Sequence, residues 1–519
     1  MKRKLLGIVP LVTAFMFMLT ACGAPAAPDT PPGVTPPAGG TTQTELMVLT
    51  PSLAVSFDPI QSNDSASAEF ARLIYSTLVL MDYDTFEVLP GLATSWDLPD
   101  PQTVNMQIRS GVTFHNGDPL TAHDVAFSLE RAGASVQMAP ILGMIDTVVA
   151  HDNYNVTIHL DIPFVPILRH LSHPAAAILP MNYLLEVGED EFANAPIGSG
   201  AFMFDHLVIG DQQVKVRFDN YWGNVSQLER ITFRVVPDPS TRLIEVSTGT
   251  ADIAMGLAPG DLAGAEADPN VTVMRRPNLG TDFIWMNTQR PYLNNPLVRQ
   301  AINYAFDTQA AIDVVWMGAG AIAHSPVMPI VWGFVEQPPF ETNLDRAREL
   351  LAEAGYPDGF STSIWWNAPN VQRQQVSEMM QFTLAQIGID LSIETMEWAT
   401  YLERSDVGEH DMMIIGWTTV TADIDYALFP LLHSSNYGPP GNRGFWSTPE
   451  LDALLEAGRA ETDDAARMEI YAEAQAIIRA EAPMLVLRQG EILMAVNPNL
   501  RGLELNPNLS HNHATIWFE

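Results

Sequence analysis

The chain has 519 residues, 47% of them hydrophobic, with one cysteine and a formal charge of −35 from 26 basic and 61 acidic side chains. A nucleic-acid binder needs a basic face to displace phosphate counterions, so this charge sets that class aside, and a lone cysteine excludes an intramolecular disulfide. The length exceeds one ordinary domain, and the acid excess either draws cationic ligands by long-range attraction or keeps the protein soluble.

Lys2, Arg3 and Lys4 precede the apolar run Leu5–Leu19, the order of an export signal and short of the ~20 residues that span a bilayer. Leu19-Thr20-Ala21-Cys22 resembles the lipobox of bacterial lipoproteins, which implies acylation of Cys22 and a mature chain that begins there. The alternative is an ordinary cleaved signal with a stray cysteine. Residues 1–22 are thus expected to be a lipoprotein signal peptide. Residues 23–44, rich in Pro, Gly, Thr and Ala and poor in large apolar side chains, are expected to be a tether. No later segment holds ~20 unbroken apolar residues, so the body is expected to be anchored to a membrane rather than to cross one.

Order is expected from about Glu45, with Leu46–Thr50 as a strand. Apolar spacing predicts a helix over Ser67–Leu80, and alternation predicts strands at Thr103–Ile108 and Asn155–Leu160. Between them Asn116-Gly117 marks a turn, and Thr121 with Asp124 three residues on forms a weak capping box at a helix start. Strands are predicted at Val214–Phe218 and Ile231–Val236 and a helix at Val298–Ala311. Leu344, Ala347, Leu350, Leu351 and Ala354 form one stripe after Asn343, and Gly355 and Pro357 stop that helix. Ile364–Trp366 and Leu391–Thr395 read as strands around a helix over Gln372–Gln386, and Met412–Trp417 reads as a buried strand. Helices at 449–458 and 463–481 precede a strand at Met484–Arg488. Interleaved strands and helices without a fixed repeat indicate α/β lobes.

The chain lacks a Gly-x-Ser-x-Gly elbow, a Walker loop and a His-Glu-x-x-His pair. His511 and His513 are read as a solvated strand edge, and His170 and His173 as surface or packing residues. Asp463-Asp464 favours a helix N-terminus. With so many carboxylates, a pair at glycosidase spacing carries no weight.

Several segments, in order along residues 45–519, resemble the large-ligand family of bacterial extracellular solute-binding proteins, which includes dipeptide, oligopeptide, glutathione and nickel binders of ABC importers. They are Leu89-Pro90-Gly91-Leu92-Ala93-Thr94-Ser95-Trp96, the run from Ile108 through His115-Asn116-Gly117-Asp118 to Val125, Pro196–Phe202, Asn220-Tyr221-Trp222-Gly223, Met286-Asn287-Thr288 with Val298–Asn303, and Ala347–Tyr356. The resemblance implies a two-lobed α/β fold of the periplasmic-binding-protein type (type II, large-ligand cluster), with an extra subdomain inserted in lobe I. Lobe I would comprise 45–56, 196–279 and 490–519, the inserted subdomain 57–195, and lobe II 280–489. Two crossing strands would join the lobes, which hinge shut on a ligand.

It further implies capture of a peptide, oligopeptide or glutathione-like, outside the cytoplasmic membrane, at the cell surface or in the periplasm. A monomeric chain would deliver it to ABC permease subunits, without a cofactor, metal or enzymatic step. After Gly416-Trp417, where dipeptide binders carry an amine-pairing Asp, this chain has Val420, so Asp423 or Asp425 is expected to replace it. Near the place of an arginine that holds the ligand carboxylate stands Asn367, with Arg373 the nearest cation. The expected cleft residues are Trp365, Trp366, Asn367, Arg373, Trp398, Trp417, Thr419, Asp423, Asp425 and Arg443. The competing readings are a nickel or metal-chelate binder, for which His433 is the only histidine near the relevant region, a secreted peptide hydrolase, and a peptide-sensing receptor.

Overall fold

The computed structural model describes residues 43–61, 64–368, 370–439 and 441–519. Cys22, the expected signal peptide and nearly all of the expected tether lie outside the described residues. Among the described residues no helix is long and apolar enough to cross a membrane.

A ten-stranded sheet runs through the molecule. In spatial order its strands are Asp390–Glu397, Ser361–Ala368, Met412–Thr418, Thr272–Met286, Met484–Val496, Ile253–Met255, Glu45–Thr50, Arg230–Val235, Gln212–Arg217 and Phe202–Val208. Each half has a parallel centre: Glu45–Thr50 pairs with Arg230–Val235 and Ile253–Met255, and Ser361–Ala368 pairs with Asp390–Glu397 and Met412–Thr418. The halves are joined by the antiparallel pair Thr272–Met286 and Met484–Val496. Its register shifts between Pro277, opposite Glu491, and Thr281, opposite Gln489. The shift has a local cause. Pro277 has no N–H to donate, and the next amides turn elsewhere: Gly280 N–H to the Asn278 side chain at 2.8 Å and Leu279 N–H to Pro507 C=O at 2.8 Å.

Alternation along the crossing strand divides the core of this half. Ile284 and Met286 face a layer with Val298, Ile302, Leu350 and Met380, while Phe283 and Trp285 face one with Ala427, Leu451, Tyr471 and Ile478. Helices therefore cover both sides. Residues 93–160 build a separate four-stranded antiparallel sheet under the helix Ala122–Gly133, with its own core around Val104, Leu129 and Ile158. That helix starts as anticipated, with the Asp124 carboxylate accepting the Thr121 N–H at 2.9 Å, an arrangement worth about 1 kcal/mol.

Two helix expectations need correction. The first helix is Ser65–Ile74. Tyr75 is extended and ties its hydroxyl to Phe57 C=O, and Val79–Met81 is a strand. The expected helix Val298–Ala311 is two helices, Pro296–Ala305 and Thr308–Val315, because Asp307 caps the second by accepting the Ala310 N–H at 2.9 Å. His511 and His513 are also misread as solvated: both are at most 1% exposed. They belong to a buried polar nest with Glu69 and Lys215, in which the Lys215 ammonium lies 3.9 Å from the centre of the Phe233 ring. Burial pushes Lys215 down to about 7 and Glu69 up to about 8.

Candidate functional site

At the crossing strands a cavity of about 270 Å³ lies between the two halves. Gly256 and Leu257, just beyond the strand Ile253–Met255, form one wall, and Arg373 at the start of the helix Val371–Ala385 forms the other. Asp282, Arg488 and Glu491 project from the crossing strands. The local fold explains Arg373. The Asn370 side chain accepts the Arg373 N–H at 3.0 Å and starts the helix, and the Arg373 guanidinium reaches back to the Asn367 amide oxygen at the end of the preceding strand.

Charge pairing singles this arginine out. Asp282 is held by Arg488 at 3.0 Å, and Glu491 by Arg275 at 2.9 Å. Arg373 is the lining cation without a carboxylate partner among the described residues. Its neutral partner and the positive end of a 15-residue helix leave a local excess of positive potential. The arrangement suits a solute that brings its own carboxylate, which guanidinium binds at two points.

The other expected residues are dispersed. Trp365 is 2% exposed and turned into the core, where Arg404 lies 4.5 Å from its ring centre. Trp366 is buried on the opposite face of the same strand. Trp398 is exposed and stacks on Tyr401, and Arg443 is committed to Asp406 at 2.6 Å and to the Ser405 hydroxyl at 3.2 Å. Trp417 is half-buried between two cores and donates its ring N–H to Tyr426 C=O at 2.8 Å. The Thr419 amide donates to Leu279 C=O and its buried hydroxyl makes no bond among the described residues.

Asp423 and Asp425, expected to offer a charge to a ligand amine, are both engaged by arginines inside the protein. Both are at most 1% exposed. Asp423 caps the helix Ile424–Leu432 through the Asp425 N–H and takes two bonds from Arg467, at 2.6 and 2.9 Å. Burial alone would raise its carboxyl, but Arg467 and then Arg169 hold it below the usual carboxylate range. Asp425 is gripped by Arg459 at 2.8 and 3.2 Å. The charges are matched inside the protein because helix capping and arginine pairing satisfy them there. Asn367 and Arg373 are the two expected residues that come together at the junction. Asp282, Arg488 and Glu491 were missed; Arg488, a cation ending an otherwise apolar strand signal, was the clue available.

On the far side of the junction residues 164–170 lean on the other half. Val165 N–H donates to Arg459 C=O at 2.8 Å, Arg169 stands 3.7 Å from Asp423, and the buried Tyr426 packs in the same core as Phe164. His433, the histidine of interest for a metal reading, stacks on Phe429 with Glu456 at 3.3 Å. Among the described residues no group of three or more His, Cys, Asp or Glu side chains is placed to hold a metal ion.

Two α/β halves joined by a pair of crossing strands, with a cavity at the join, define a two-lobed binding protein of the periplasmic type. The model of the bacterial extracellular solute-binding proteins, family 5, matches residues 87–439, and the chain belongs to that family. It is 32% identical over 476 residues to the glutathione-binding protein GsiB of Pectobacterium atrosepticum, covering 89% of this chain and 92% of that one. It is 30% identical over 474 residues to heme-binding protein A of Haemophilus influenzae, covering 84% and 85%. Among solved structures, the periplasmic binding protein DppA of Helicobacter pylori in complex with the peptide STSA superposes with a TM-score of 0.80 at 30% identity, over 92% of this chain and 98% of that one.

Proposed function

We propose that this chain is the substrate-binding component of an ABC importer. It would be held outside the cytoplasmic membrane by a lipid on Cys22 and would capture a peptide-like solute between its lobes for delivery to the permease subunits. The lobes would be 45–56, 196–279 and 490–519 on one side and 280–489 on the other, with 57–195 inserted in the first. The register shift between Pro277 and Thr281 supports a hinge at that division. The observation that carries the ligand reading is Arg373, a cation in the junction cavity whose guanidinium holds, among the described residues, only the Asn367 amide. A solute carboxylate would complete it, and closing the lobes would remove competing water, which strengthens the pair. The family membership, and relatives named for glutathione and peptides, agree with such a ligand.

Mass spectrometry of small molecules released from gently purified protein, followed by calorimetric titration with di- to pentapeptides and glutathione, tests this reading. Saturable binding, with peptides recovered intact after prolonged incubation, is expected. Failure of every carboxylate-bearing solute to bind, or cleavage of the added peptides, would overturn it.

A further inference from the structure

A second and larger cavity, of about 350 Å³, lies wholly within residues 303–486, away from the junction. The two cavities sit on opposite faces of one crossing strand: Met484 and Val486 line this one, whereas Leu487 and Arg488 line the cavity at the join. Its remaining walls come from the segment around Ser325, from residues 337–342, and from the ends of the helices Pro296–Ala305 and Asp464–Glu481.

Two amide side chains in its lining, Asn303 and Gln337, are each only 7% exposed. Their orientation follows from their partners. Asn303 points its NH₂ at the carbonyls of Arg299 and Met484, at 3.0 and 3.4 Å, and Gln337 points its NH₂ at Val335 C=O, at 3.3 Å. A carbonyl accepts only, so both side-chain oxygens are left over, and neither has a hydrogen-bond partner among the described residues. Neither oxygen is sealed off from the cavity, so each is open to accept from a ligand N–H in place of water.

The charge of the lining points the same way. Asp307 and Glu341 are exposed at the rim, against a single guanidinium, that of Arg479. That cation is built into the wall: it donates to the carbonyls of Pro338 and Pro339 and lies 3.2 Å from the centre of the Phe340 ring. Two free amide acceptors inside and two carboxylates against one fixed cation at the mouth select a donor-rich cation of small size. Phe340, Ile478 and Val486 supply apolar surface for a short carbon stem.

We propose that this cavity is a second binding site, for a small primary ammonium compound, whose N–H groups bond the side-chain oxygens of Asn303 and Gln337. The site is independent of the solute taken between the lobes.

Ligand-detected NMR and native mass spectrometry of the full chain, with ethylammonium and putrescine as probes and ethanol and acetate as controls, test it. The ammonium probes should bind saturably and weaken as salt is raised, and the controls should not bind. Gln337→Leu should weaken putrescine by about fivefold or more, Gln337→Glu should tighten it by a similar factor, and Arg373→Met should leave it unchanged. Should Gln337→Leu fail to fold, Ile322→Trp at the mouth should block the probes instead. Absence of saturable ammonium binding, indifference to both the Gln337 and Ile322 changes, or loss of binding in Arg373→Met would overturn the assignment. The last result would place the probes in the junction cavity.

Discussion

Asp423 and Arg467 form a two-point ion pair with almost no access to water, with Oδ1 2.6 Å from Nη2 and Oδ2 2.9 Å from Nη1. The pair joins the N-terminus of the helix Ile424–Leu432 to the helix Asp464–Glu481. Removing one partner strands the other charge in the interior, at a cost of about 3–5 kcal/mol. Arg467→Met should therefore lower the urea midpoint sharply, and the double variant Asp423→Asn with Arg467→Met should recover part of the loss. Asp423→Asn protein of unchanged stability that no longer binds peptide would mean that the aspartate serves the ligand after all.

Arg373→Met keeps the length of the side chain and removes its charge. Calorimetry should show the affinity for a carboxylate-bearing peptide falling by about tenfold to a hundredfold, with the thermal midpoint within a few degrees of the parent. A peptide with an amidated C-terminus should be indifferent to the substitution. Equal losses for free and amidated peptides would contradict a carboxylate contact.

On the far side of the junction, Arg169 stands 3.7 Å from Asp423 and Val165 bonds Arg459. These contacts exist only while residues 164–170 touch the other half. Arg169→Met should raise the peptide dissociation rate measured by stopped flow, by about threefold to tenfold, and leave association nearly unchanged. Slower association with unaltered release would show that the contact guides entry instead.

Buried neutral histidines set the acid limit of stability. Burial pushes His115 and His410 down to about 4, and His173 and His511 down to about 3, all from an ordinary 6.5. Between those values the unfolded chain binds protons that the folded chain refuses, so stability falls as pH drops below 6.5. Glu69, raised to about 8, works in the opposite direction with one proton. Burial lowers His170 and His513 as well, so unfolding near pH 5 should take up roughly three to five protons, and the thermal midpoint should fall steadily from pH 6.5 to pH 4.5. A midpoint that rises over that interval would contradict this balance.

Periodicity revealed elements whose own residues carry the signal. The strand Thr103–Ile108 alternates cleanly and appears with those bounds, and the stripe from Leu344 gives the helix Leu344–Glu353. The 15-residue strand Thr272–Met286 was not legible, because Pro277 and Gly280 interrupt its alternation and it is held by a partner more than two hundred residues away. The site was legible in one corner, Asn367 with Arg373, where an asparagine cap and a helix start fix the geometry locally. The internal partner of Asp423 was not legible in the sequence. A carboxylate in a loop after a strand looks available until Arg467, 44 positions further on, is folded against it. Pairings of that kind belong to the tertiary structure, and no local pattern announces them.

Lys215 sits at the bottom of its aromatic nest, and it is the sole lysine in residues 43–519. Succinimidyl dyes, formaldehyde and biosensor surfaces that couple through amines would find no side-chain handle on the folded body. Trypsin could cut only after arginines. A fluorophore or surface attachment for following the motion of the lobes would have to be installed at a chosen cysteine, and this body offers a background free of competing thiols.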